Sequence, residues 1–221
     1  MGAGLGDLKA RGFSLCISTV HMKEDILEQL VDDYLQSRGY FTRHNIKFRP
    51  LDTHPEFEAK QDSNHSDIDV IGIHPMKTGH DRVVVVSCKS WQCGFKVKQK
   101  LAEVTGNKIA NGREAWRGFR ELVKSKWSEA FIGKVEEVTG ARKFTYMLAV
   151  TAIVGDRTVW EKHPPFLRAL RNNPIRMIDL PEMLDHLKSV STTTLASSDI
   201  GRVLQLMRAA GLFNAGEEQN G

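Results

Sequence analysis

The chain has 221 residues, a formal net charge of +4, and 41% hydrophobic against 26% charged residues. That is enough apolar material for a real core in one domain, or one domain with an appendage. No apolar run approaches the length of a membrane helix, so no membrane-spanning helix is expected. The charge is unevenly spread. Lys89 to Lys143 holds 13 Lys/Arg against 6 Asp/Glu, a local balance of +7 that leaves the remainder near −3. A basic segment of this kind suits a polyanion such as nucleic acid, although a solvated helix surface has the same composition.

Residues 1–21 read as an N-terminal extension. Their short apolar patch is broken by polar residues, so no signal peptide is expected. Cys16, Cys88 and Cys93 are odd in number and lack zinc spacing, which predicts reduced thiols in the cytoplasm. Residues 22–38 predict an amphipathic helix, with Ile26, Leu30 and Tyr34 stacked at i+4 beside Leu27, Val31 and Leu35. Gly39 fits the position after its end. A strand follows over 40–50, then a polar loop over 51–64. Two further strands, about Asp67 to His74 and Arg82 to Lys89, are joined by "PMKTGHD" and should form an antiparallel hairpin.

Residues 96–134 predict two helical stretches broken near "ANGR" at 110–113. "FTYMLAVTAIV", 144–154, reads as a central strand, "PPFLRALRNN" as a short helix opened by proline, and 174–190 as a last strand and helix. Residues 191–221 read as a polar linker and a capped terminal helix with a frayed end. The pattern is mixed α/β, with a central sheet flanked by helices.

The chemistry concentrates in the hairpin. "VVVVSCKSWQ", 83–92, is a β-branched run that ends on Lys89. A lysine at the inner end of a buried strand is costly without a charged partner. Strand alternation places Asp67 and Asp69 on one face, and Ser87 and Lys89 on one face of the neighbouring strand. Two carboxylates would then meet an ammonium and a hydroxyl. Carboxylates with water suit a hard ion such as Mg²⁺. The bland alternative, a structural ion pair at a strand end, explains the same residues.

This arrangement resembles the PD-(D/E)xK nuclease superfamily, and within it the Mrr-like restriction endonucleases. "DIDVI", 67–71, is similar to the strand that carries that family's metal-binding aspartate, which maps to Asp69. "VVVSCKSW", 84–91, is similar to the segment ending in its Cys-Lys. Glu28 precedes Gly39-Tyr40 by the family's eleven residues, and "IRMIDLPEMLDHL", 175–187, is similar to its closing strand and helix. The chain departs from the pattern at Ser87, where the family usually has Glu, Asp or Gln.

The resemblance, covering about residues 22–190, implies a restriction-endonuclease-like core. It also implies a Mg²⁺-dependent DNA endonuclease, with Mn²⁺ as a substitute, acting in restriction or defence against foreign DNA. Glu28, Asp69 and Lys89 would be catalytic, and Asp67, Asp69, Ser87 and Glu28 would surround the metal. Homodimers are common among such enzymes. For DNA contact the candidates are Gln92, Lys96, Lys98, Lys100, Arg113 and Arg117, with Arg120 grouped on the same presumed helix. No Walker-type loop occurs, so no nucleotide cofactor is expected. Two rival readings stay open: a DNA-binding module of the same fold that has lost cleavage, motivated by Ser87, and a structure-selective nuclease of the Holliday-junction type.

Overall fold

A computed structural model describes residues 24–91, 93–110, 112–190, 196 and 198–212. The presumed N-terminal extension, Gln92 and the frayed end therefore lie outside the described residues.

The chain opens with helix α1 (Glu24–Ser37) and strand β1 (Phe41–Phe48), followed by a one-turn helix α2 (Ala59–Asp62). Strand β2 (Ser66–Ile73), a 3-10 turn and strand β3 (Val83–Lys89) come next. A short β4 (Phe95–Lys96) leads into α3 (Val97–Thr105), then β5 (Ile109–Ala110) and β6 (Arg113–Glu114). A 3-10 segment (Ala115–Phe119), α4 (Arg120–Val123) and α5 (Ser125–Thr139) precede β7 (Thr145–Val150) and β8 (Ile153–Val154). Helices α6 (Thr158–Glu161) and α7 (Pro164–Ala169), strand β9 (Ile175–Asp179), and helices α8 (Leu180–Val190) and α9 (Asp199–Ala209) complete the order.

Five strands form the central sheet in the order β1-β2-β3-β7-β9. The first three are antiparallel, and β3-β7-β9 are parallel. The sheet is therefore mixed, and the class is α/β. Parallel neighbours need long crossovers. The β3-to-β7 crossover carries α3 to α5, and the β7-to-β9 crossover carries α6 and α7.

Alternation sorts the strand residues into two cores. Val83 and Val85 of β3, with Tyr146, Leu148 and Val150 of β7, face an aromatic core completed by Phe119, Trp127, Phe131 and Trp160. Val84, Val86, Cys88, Met147 and Ala149 face a second core built with α1, α8 and α9. With both faces covered, Val83–Val86 of β3 and Met147–Val150 of β7 are apolar on both sides, which is why they read as hydrophobic runs.

Helix α1 buries Leu27, Leu30, Val31, Tyr34 and Leu35 as expected. Ile26 does not join them: it is exposed, so the apolar stripe is narrower than the i+4 stack suggests. The helix ends in a Schellman arrangement, in which the Tyr40 amide donates to Leu35 and the Gly39 amide to Gln36, with Gly39 at φ 84°. The Ser198 hydroxyl caps α9 by accepting from the Gly201 amide, and Leu204 of that helix enters the second core. The terminal helix is thus part of the layer that also contains α1, rather than an appendage. No helix among the described residues is long and apolar enough to cross a membrane.

Candidate active site and basic cleft

The hairpin forms in the expected register, with Val70 opposite Val86 and Ile73 opposite Val83. The ladder stops there, and the side chain of Asp69 takes over. The Cys88 amide donates to Asp69 Oδ2 at 2.5 Å, a charge-assisted bond that stands in for a ladder carbonyl. The Lys89 ammonium lies 3.8 Å from the same oxygen and donates to the Cys88 carbonyl at 3.0 Å. Both side chains are mostly covered, at 20% exposure for Lys89 and 13% for Asp69. The lysine at the inner end of the strand therefore has its charged partner.

Asp67 has no such place. It is exposed and pairs across the sheet with Lys47. The same-face argument fails because β2 does not alternate strictly. Ile68 and Ile71, an odd number of residues apart, enter the aromatic core, while Val70 between them enters the other. The irregularity has a visible counterpart on β1. The pairs His44–Val70 and Ile46–Ile68 bracket Asn45, which takes a left-handed φ of 53° across from Asp69.

Glu28 is half-buried on α1, the helix that covers the opposite core. Among the described residues no group of three or more His, Cys, Asp or Glu is placed to hold a metal. The expected set of Glu28, Asp67 and Asp69 is therefore corrected: these three acids do not converge. Mg²⁺ often takes only one or two carboxylates and completes its shell with water and substrate phosphate. Asp69 can serve in that way, so the donor set fits an ion assembled with substrate rather than a preformed cage.

Ser87 is not directed at a metal either. It is buried, and its hydroxyl acts on the Tyr146 phenol, whose pKa it lowers. The Tyr146 hydroxyl donates to Glu121 Oε1 at 2.6 Å. Burial pushes the Glu121 carboxyl above the usual range; Tyr146 and the Lys89 charge pull it back, and Asp69 adds to the rise. Burial and the neighbouring Glu121 likewise push the Tyr146 phenol well up. A buried polar chain of Ser87, Tyr146 and Glu121 thus lies behind the Asp69–Lys89 pair. The sequence offered one signal for it: a tyrosine inside an otherwise apolar strand needs a partner for its hydroxyl. Glu121 carried no such signal.

Beyond Lys89 the chain is tied down. The Trp91 amide donates to Thr151 Oγ1 at 3.2 Å, and β4 pairs with β8. Trp91 forms one wall of a cleft of about 770 Å³ that Lys100, Arg113, Arg117 and Arg120 also line. The three arginines were expected on one helix. They instead come from β6, the 3-10 segment and the start of α4, and the fold brings them to one opening. Lys96 and Lys98 are exposed outside this lining, and Lys98 acts on Asp156.

The Cys88 thiol is buried in the second core. Cys93 is disulfide-bonded, which corrects the expectation of three reduced cysteines.

No family model matches the chain, and no curated protein does so. A solved structure of a protein of unknown function, AF1548, is similar with 13% identity over 85% of this chain and 79% of that one. Its TM-score of 0.37 is too low for the likeness to bear on fold or function.

Proposed function

We propose that the chain is a metal-dependent DNA endonuclease of the PD-(D/E)xK type, with Asp69 and Lys89 as its reacting pair. The supporting observation is the 3.8 Å approach of the Lys89 ammonium to the Asp69 carboxylate where β2 and β3 part company. Magnesium, when bound beside Asp69, would supply positive charge to a scissile phosphate and lower the pKa of its bound water. Lys89 orients the attacking water and meets the negative charge that builds on the phosphate oxygens. Water adds to phosphorus, the P–O bond to one sugar breaks, and a proton goes to the departing oxygen.

Purified protein with Mg²⁺ or Mn²⁺ should nick plasmid, and Asp69→Ala or Lys89→Ala should abolish this. Intact DNA binding with no cleavage of any DNA form would sink the enzymatic reading. It would favour the second one, a binding module of similar fold. One feature favours that alternative: Ser87 stands where a second carboxylate is expected, and it is buried. Two such sites in a homodimer would cut both strands, and sedimentation of the protein with and without DNA checks the stoichiometry.

A further inference from the structure

The cleft beside the ion pair has an unusual electrostatic balance. Lys100, Arg113, Arg117 and Arg120 line it against a single carboxylate, Glu114. Two of the four cations already have acidic partners. Lys100 pairs with Glu103 at 2.7 Å, and Arg117 with Glu114 at 2.5 Å.

Arg120 is different. Its guanidinium lies against the Trp127 ring at 4.6 Å, which fixes it in place. Its Nη1 is buried and has no hydrogen-bond partner among the described residues. A guanidinium nitrogen withdrawn from water without an acceptor is costly, and an incoming anion removes that cost. Burial and the nearby Arg117 charge weaken the hold of Arg120 on its proton, and Asp62 and Glu121 only partly restore it; an anion between the two guanidinium groups offsets their repulsion.

We infer that this cleft is a phosphate-binding groove for a nucleic-acid strand, in which Arg120 and Arg117 take a backbone phosphate and the strand continues past Trp91 to Asp69 and Lys89. At about 770 Å³ the cleft has the volume of a small-ligand pocket. A single displaced or unpaired strand fits it, and a phosphodiester oxygen supplies the acceptor that Arg120 lacks. Arg113, exposed at the rim on β6, adds sequence-independent attraction. The inference builds on the nuclease reading for the path of the strand, but its test does not use cleavage.

The full-length protein is titrated, without metal, into a short fluorescein-labelled single-stranded oligonucleotide, and anisotropy is read across a salt series. Wild type should bind. Arg120→Gln should bind about tenfold more weakly, with a salt slope shallower by about 0.7, the loss of one phosphate contact on a single strand. Arg120→Lys keeps the charge but not the fork, and should recover only part of the loss.

Arg142→Gln removes the same charge from the far end of the sheet, before β7 begins, and controls for net charge. Thermal melts verify that each variant is folded. Equal weakening by Arg120→Gln and Arg142→Gln overturns the groove. So does absence of oligonucleotide binding by wild type; inorganic phosphate that then raises the melting temperature of wild type but not of Arg120→Gln would assign the cleft to a free phosphate compound. Failure of the nuclease reading looks different: cleavage is absent in every variant while the Arg120-dependent affinity remains.

Discussion

Among the described residues two lysine–aspartate pairs are drawn out of solvent, and they are built for different ends. Asp62 and Lys126 meet at 2.6 Å with side-chain exposures of 1% and 8%. Every polar direction around them is filled. The Glu58 amide and the Trp127 indole donate to Asp62 at 2.8 and 2.9 Å, and Lys126 also donates to the Glu56 carbonyl at 2.7 Å. This pair ties the loop before β2 to helix α5. Asp69 and Lys89 stand farther apart, at 3.8 Å, and are more open. A filled pair can only hold the fold together. A looser pair where β2 and β3 separate, next to a basic cleft, leaves the ammonium and carboxylate able to engage a substrate as well.

Substitution at each pair should separate these roles. Asp62→Ala strands Lys126 in the core and should cost about 3–5 kcal/mol of stability, read from urea unfolding. Asp69→Ala frees a partly exposed lysine and leaves the Cys88 amide without its acceptor, so it should cost about 1–2 kcal/mol. Its effect on plasmid nicking should be far larger, about a hundredfold or more. If Asp69→Ala unfolds the protein as readily as Asp62→Ala, the two pairs are of one kind and the contrast is lost. Next in size comes Trp127→Phe, which deletes the indole bond to Asp62 and shrinks a fully buried ring. About 2–3 kcal/mol is expected, and only the hydrogen-bond share, about 1 kcal/mol, should disappear when measured in the Asp62→Ala background.

Much of this was legible in the sequence, for identifiable reasons. The Val83–Cys88 run, the turn before it and the β2 pattern fixed an antiparallel hairpin, and the hairpin fixed Asp69 opposite the end of β3. Lys89 at the end of an apolar run announced the need for a partner. What was hidden came from tertiary structure. The irregularity at Asn45 and Asp69 breaks alternation, so Asp67 leaves the face that a regular strand assigns to it. Arg113, Arg117 and Arg120 have helical spacing but sit on three elements, because "ANGR" opens into the β5–β6 hairpin. Glu121 is summoned by Tyr146 across 25 residues, a contact that no local pattern encodes.

The buried carboxylates extend the comparison to pH, and they do so with opposite signs. Burial works to raise the Asp62 carboxyl, but Lys126, the Glu58 amide and the Trp127 indole outweigh it and hold it below the usual range. Its contribution to stability is therefore present above the unfolded value, ~3.9, and is lost as pH falls through the folded one. Glu121 is shifted upward, chiefly by burial. Its contribution is fully present below the unfolded value, ~4.3, and is lost as pH rises through the folded one. Glu121→Gln keeps an acceptor for the Tyr146 hydroxyl and cannot ionise. The melting temperature of this variant relative to wild type should climb as pH rises from ~4.3 through the folded value, and then level off. This is the smallest of the expected effects, and it has the clearest sign. A difference that stays constant from acid to neutral pH would mean that Glu121 titrates as it does in the unfolded chain, and the polar chain behind Lys89 would then have no electrostatic tie to the pair it supports.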